Sequence, residues 1–190
     1  MFLEALNEHA DCMNRLVSLE PVITDAAEMM IKTLCEGGKI LVCGNGGSAA
    51  DAQHFAAELV GRFEKERQAW PCISLATDTS NLTAIGNDYG YDAVFSRQVQ
   101  GLGRSGDLLI GISTSGNSPN IQAAVQTAGH IGMKTIGLLG RDGGALSALV
   151  DCAVIVPHAR TARIQEGHIF ILHVWAMIIE NRLCSRQFSL

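Results

Sequence analysis

The chain has 190 residues and a formal net charge of -5, with 14 Lys+Arg against 19 Asp+Glu and no stretch that gathers basic residues. That balance excludes a nucleic-acid backbone as a direct partner, because such a backbone demands clustered Lys and Arg. One small phosphate stays possible, since backbone N–H groups can hold it alone. The composition is 47% hydrophobic but only 5% aromatic, so small and aliphatic side chains must carry the core. A chain of this length buries roughly 70% of its unfolded surface, and one domain over 1–190 is expected. Some of the apolar excess fits burial between subunits. Cys12, Cys35, Cys43, Cys72, Cys152 and Cys184 stand in apolar segments without CxxC spacing, as buried thiols of a reducing compartment would. The first residues, MFLEALNEHADCMNRL, carry acids where a signal peptide would not. No apolar run approaches the roughly 20 residues of a membrane span. A cytoplasmic protein with no membrane partner is expected.

Residues 1–37 read as helix. Apolar positions recur every three or four residues through Leu3, Leu6, Ala10, Met13 and Leu16, and again from Pro21 to Cys35. Gly37 and Gly38 end the second pattern. The first helix precedes any strand, so it suits an arm for oligomer packing. The pattern then changes to five short apolar runs: KILVC, PCISLA, DLLIGIS, KTIGLLG and DCAVIVP. Helical stretches separate several of them: SAADAQHFAAELVGRFEKE, then Asn120 to Ile131, and finally Ala162 to Leu183. Alternation of this kind predicts a three-layer α/β fold, flavodoxin-like, with about five parallel strands. Ligands on such sheets bind beyond the carboxyl ends of the strands. Three segments are therefore expected as strand-end loops: GNGGS, TDTSNLTAIGND and STSGNS.

Gly44-Asn45-Gly46-Gly47-Ser48 lies between a strand and a helix, with Ser48 as the expected N-cap. Its glycines allow close backbone approach, and the helix N-terminus favours an anion. A plain tight turn is the alternative. Neither a dinucleotide fingerprint nor a P-loop is present. Ser113, Thr114, Ser115, Gly116, Asn117 and Ser118 form a cup of donors suited to a phosphate monoester, or else a hydroxyl turn that caps the next helix. Asn87 and Asp88 are binding candidates or simple turn residues. His54 and Glu58 share one helix face. They are a surface pair unless the apolar flanks Phe55, Leu59 and Val60 bury them, in which case the carboxylate needs a partner or a task. In RIQEGHIFILHVW, Gln165 has both His168 and His173 within reach around the helix. Spacing alone does not choose between the two histidines, and either one could be a core residue. Arg163 and Glu166 read as capping or ion-pair residues.

CGNGGSAADAQHFAAEL, GNDYGYDAVFSRQV, GDLLIGISTSGNSPN and ARIQEGHIFILH together resemble the bacterial phosphoheptose isomerases, within the broader sugar-isomerase (SIS) domain group. The likeness covers nearly the whole chain. It implies conversion of sedoheptulose 7-phosphate to D-glycero-D-manno-heptose 7-phosphate, a precursor of ADP-heptose and the lipopolysaccharide core, by a homotetramer. It assigns Ser113, Thr114, Ser115 and Ser118 to phosphate. Asn45, Gly46, Gly47, Asn87 and Asp88 match substrate-contacting positions. Glu58 and His173 match the acid/base pair, and His54, Glu58, Gln165 and His173 match a zinc site with one ion per subunit. The likeness, not the spacing, selects His173. Ala162 stands where some members carry Asp, which is expected to alter sugar positioning more than reaction class. Relatives that serve as non-enzymatic adaptors for the bacterial replication initiator keep the glycine and serine loops but lack the full Glu/His pair. This chain has both residues, which favours the enzyme.

Overall fold

The computed structural model describes residues 1–187, with side chains to Ser185. Two helices come first, α1 (Phe2–Arg15) and α2 (Glu20–Cys35), joined by a 3-10 turn over Leu16–Leu19. Then follow β1 (Ile40–Gly44), α3 (Gly47–Val60), β2 (Cys72–Ser74), α4 (Thr79–Tyr89), α5 (Ser96–Leu102) and β3 (Leu108–Ser113). The chain continues through α6 (Pro119–Ile131), β4 (Lys134–Gly140), β5 (Cys152–Val156) and the long α7 (Thr161–Gln187). All five strands pair in parallel, in the order β2-β1-β3-β4-β5. The predicted doubly wound α/β arrangement is therefore the observed one.

Every residue of β1 and β3 is buried. Alternation divides them between two apolar layers. Ile40, Val42, Leu108, Ile110, Ile112, Ile136 and Leu138 pack with residues of α1, α2, α3 and α7. Leu41, Cys43, Leu109 and Leu139 pack with Val99 of α5 and with Ile121, Ala124, Val125 and Ala128 of α6. Gly111 of β3 lies under α6, where a Cβ would come within 2.8 Å of Ile121 Cγ2. This is the close helix-on-sheet contact that small residues permit. At the amino edge, the Asp107 carboxylate accepts from the backbone N–H groups of Lys39 and Arg104 at 2.9 Å each, fixing the starts of β1 and β3.

Three local expectations are corrected. The helix after β1 stops at Val60 and does not run on through FEKE. The segment after β2 is helical rather than a loop: Asp78 caps α4 by accepting from the Asn81 N–H at 3.0 Å. The thiols divide between environments, with Cys12, Cys43, Cys72 and Cys184 buried, Cys152 half-buried and Cys35 exposed.

His168 is a core residue, fully buried, with Nε2 bonded to the Leu139 carbonyl at 2.9 Å. Burial pushes its pKa down to about 4, although the carbonyl bond opposes the shift. The sign follows from proton counts. Between about pH 4 and 6.5 the unfolded chain holds the proton and the folded chain does not. This group therefore costs stability as pH falls through that window. From pH 7 to pH 5 the loss is about 2 kcal/mol. Denaturant midpoints should show a steeper acid dependence in the wild type than in His168→Leu, and equal slopes would contradict the assignment.

Candidate active site

The sheet order reverses direction between β1 and β3. In such folds the ligand crevice opens at that switch point, beyond the carboxyl ends of the strands. The two loops there are the glycine loop after β1 and the hydroxyl loop after β3. They are tied together by an amide pair that sequence reading did not single out. Asn45 and Asn120 each donate Nδ2 to the other's Oδ1 at 2.9 Å, and the Tyr91 hydroxyl donates to Asn45 Oδ1 at 3.1 Å. Asn45 was already a candidate in the glycine loop, whereas Asn120, the second residue of α6, was not singled out, because only the fold brings it to Asn45.

Gly46, not Ser48, is the N-cap of α3, and its φ of 57° explains the glycine. Ser48 lies buried in the first turn. In the hydroxyl loop, Ser113 and Ser118 share a bond between their Oγ atoms at 3.0 Å, and Ser113 Oγ accepts from the Gly116 N–H at 3.2 Å. Ser115 Oγ accepts from the Asn117 N–H at 3.2 Å. Ser118 is the N-cap of α6 without a side-chain cap bond of its own. Pro119 has no N–H, and the Ile121 and Gln122 N–H groups donate to the Ser118 carbonyl at 3.1 and 3.0 Å, which leaves the Asn120 N–H at the head of the helix beside the cup. The 140–146 loop supports the cup from behind. The Leu146 N–H donates to the Gly116 carbonyl at 2.9 Å, and the Ala145 N–H donates to Asn117 Oδ1 at 3.0 Å.

The second half of the site joins α3 to α7. His54 Nε2 lies 2.9 Å from His173 Nε2 and 3.1 Å from Glu58 Oε1. The three groups offer donor atoms that all fall within 4.8 Å of one another. The structure thus separates the two α7 histidines: His173 faces this cluster and His168 faces the core. His173 also borders a cavity lined by His9 and Glu166. Glu166 pairs with His9 Nδ1 at 2.8 Å and with Arg163 at 2.7 Å, as an ion-pair residue should. Asp51, one turn before His54 on α3, has a buried Oδ2 without a hydrogen-bond partner. Burial raises its pKa to about 6, with His54 opposing.

Gln165 links the two halves. Its amide lies over Gly47, at the place a Cβ would occupy. Gly47→Ala should therefore displace the Gln165 side chain, a flexible group, and leave the backbone in place. Activity should fall about tenfold or more while the denaturant midpoint moves little. A variant with wild-type activity would show that the Gln165 position is immaterial. Asn87 and Asp88 sit exposed at the end of α4, bonded to each other at 2.8 Å and not to the cup or the cluster. Ala162 is exposed in the first turn of α7.

Chemically, a strand-end cup of N–H and hydroxyl donors stands on the same protein as a carboxylate and two imidazoles, which suits a phosphorylated substrate and proton transfer. Comparisons with known proteins agree. A SIS domain model matches residues 6–140, which places the chain among proteins with a sugar-isomerase fold. The phosphoheptose isomerase of Pelobacter propionicus is 56% identical over 165 residues, 87% of each chain. That of Helicobacter hepaticus is 55% identical over 175 residues, 92% of this chain and 89% of its own. A solved phosphoheptose isomerase from Neisseria gonorrhoeae superposes with a TM-score of 0.85 at 50% identity, covering 95% of both chains. The chain belongs to the phosphoheptose isomerase family of SIS-domain enzymes, the sugar-phosphate isomerases.

Proposed function

We propose that the protein converts sedoheptulose 7-phosphate to D-glycero-D-manno-heptose 7-phosphate, supplying ADP-heptose for the lipopolysaccharide core in the cytoplasm. The observation that carries this reading is the convergence of Glu58 and His173 from two different helices. The substrate phosphate is held by Ser113, Thr114, Ser115 and Ser118 with the N-terminus of α6. Asn45, Gly46, Gly47, Asn87, Asp88, His54 and Gln165 contact the open sugar chain. Since Asn87 and Asp88 lie apart from the cup within one subunit, their role calls for a neighbouring subunit or a movement of α4.

The chemistry is a proton exchange between adjacent carbons. Glu58 takes the proton from C1 of the ketose, and the C1–C2 bond becomes the double bond of an enediol as O2 gains a proton. O1 then gives up its proton, C1 becomes the aldehyde carbon, and Glu58 returns a proton to C2. His173 carries the hydroxyl protons between O1 and O2. Two imidazoles and a carboxylate whose ligand atoms all lie within 4.8 Å of one another also suit zinc. His54, Glu58 and His173 would hold one ion per subunit, with the Gln165 amide oxygen as fourth ligand. When bound, zinc supplies Lewis acidity toward the substrate oxygens.

A homotetramer is part of the reading. Phe2, Leu3, Leu6, Val17 and Phe170 are exposed along α1, the 3-10 turn and α7, a run of apolar side chains that suits cover by another subunit. Residues 1–37 would serve in that packing, around a single SIS domain over 1–190. The test is incubation of the purified protein with sedoheptulose 7-phosphate, with and without added zinc. The aldose phosphate should form, and its absence under every metal condition would overturn the proposal.

A further inference from the structure

The far ends of α3 and α7 meet at a second charged centre, separate from the site. Arg67 and Glu180 are an ion pair at 3.3 Å, with side chains 1% and 2% exposed. Two charges so deeply buried must be extensively bonded to be tolerated, and these are. The Glu180 carboxylate accepts from the backbone N–H groups of Phe63, Glu64 and Lys65 at 3.2, 2.9 and 2.8 Å. Burial alone would raise its pKa, but those three donors and the Arg67 charge hold it below the usual carboxylate range. The Arg67 guanidinium lies 3.8 Å from the centre of the Trp70 ring. Its Nη2 donates to the Glu58 carbonyl at 2.7 Å, and its Nη1 donates to the Leu59 and Gly61 carbonyls at 2.8 and 3.1 Å.

These last bonds carry the inference. The final carbonyls of a helix have no partner within it. Here one guanidinium takes up two of the last four carbonyls of α3, those of Leu59 and of Glu58 itself, and with them the carbonyl of the C-cap Gly61. Glu180 stands seven residues beyond His173 on α7, two turns along the same face. The three N–H groups it holds set the turn that brings the Phe63 ring to 5.9 Å from the His173 ring, tilted by 31°. One buried pair thus connects to both halves of the His54/Glu58/His173 cluster.

We infer that Arg67 and Glu180 are positioning residues for that cluster: the pair sets the separation of α3 and α7 at the level of Glu58 and His173. The inference rests on the assignment of the cluster as a proton-transfer and metal site. It touches neither the cup nor the sugar-binding loops, so its loss should be selective.

The experiment compares the wild type with Arg67→Lys, which keeps the charge but not the planar fork, and with Glu180→Gln. Zinc affinity is measured by competition with a chromophoric chelator, kcat and KM on sedoheptulose 7-phosphate, and inorganic phosphate as a competitive inhibitor. Both variants should bind zinc about 10- to 100-fold more weakly and lose at least about tenfold in kcat, while phosphate inhibition stays within about twofold. The double variant Arg67→Met/Glu180→Leu leaves no unpaired buried charge, and it takes the place of any single variant that does not unfold cooperatively. Folded variants with wild-type zinc affinity and kcat would overturn the inference. So would a loss of phosphate inhibition as large as the loss of kcat, or a set in which no variant folds, since the pair would then be a general fold anchor. A wild type that neither binds zinc nor turns over substrate would instead remove the underlying assignment of the cluster.

Discussion

Replacing Glu58 by Gln should lower kcat on sedoheptulose 7-phosphate by more than about a hundredfold. The substitution keeps shape and removes the one carboxylate in the cluster with His54 and His173. Glu58 can serve as base or as metal ligand, and a carboxylate bound to a cation is a weaker base, so the two roles compete. Measuring zinc content beside kcat separates them. Loss of turnover with zinc retained assigns the proton transfer to Glu58. Loss of both that is reversed by excess zinc assigns it a ligand role. Near-normal kcat would remove Glu58 from the chemistry.

The largest structural effect is expected at Gly116 in the hydroxyl cup. Its φ of +66° is in the left-handed region, where a side chain is strained. A Cβ there would also run into backbone, with the Gly144 nitrogen 2.7 Å away and the Gly143 carbonyl nearer still. Neither neighbour is the movable end of a side chain, so the cup or the 140–146 loop must shift. Gly116→Ala should cost about 2–5 kcal/mol by denaturant unfolding and weaken inhibition by inorganic phosphate more than about tenfold. Gly129 in α6 is the internal comparison. A Cβ there meets nothing within 4 Å, so Gly129→Ala should be neutral or stabilising by up to about 1 kcal/mol. Equal effects of the two substitutions would refute the steric argument.

The parts of this protein that could be read from its sequence are those with short-range causes. β1, β3 and β4 from Ile136 onward are apolar runs bounded by glycine or polar residues, and burial on both faces produces that pattern. The two strand-end loops of the candidate site follow from them, because the strand-end rule needs only the strands. α4 escaped because none of its residues is buried. Its apolar period is short, with Leu82 and Ile85 only half-buried against the second layer, and its Ser, Thr, Asn and Gly content resembles a loop. The early end of α3 had one local signal, Gly61 at its C-cap, but the chain beyond it is held by a distant residue. Phe63, Glu64 and Lys65 are drawn out of the helix by Glu180, more than a hundred residues away. The choice between His168 and His173 had the same character. Both lie on one apolar helix near Gln165, and only tertiary packing puts the first under Leu139 and the second beside His54. The likeness to known enzymes selected His173, where periodicity alone left the matter open.

The most direct test of the central claim is a proton NMR time course of sedoheptulose 7-phosphate in deuterated water with the zinc-supplemented wild-type protein. The anomeric signals of D-glycero-D-manno-heptose 7-phosphate should grow in at the expense of the ketose. Deuterium should enter at C2 to the extent that the proton held on Glu58 exchanges with solvent before it returns. A spectrum that stays that of the ketose, with no exchange at C1, would contradict the account.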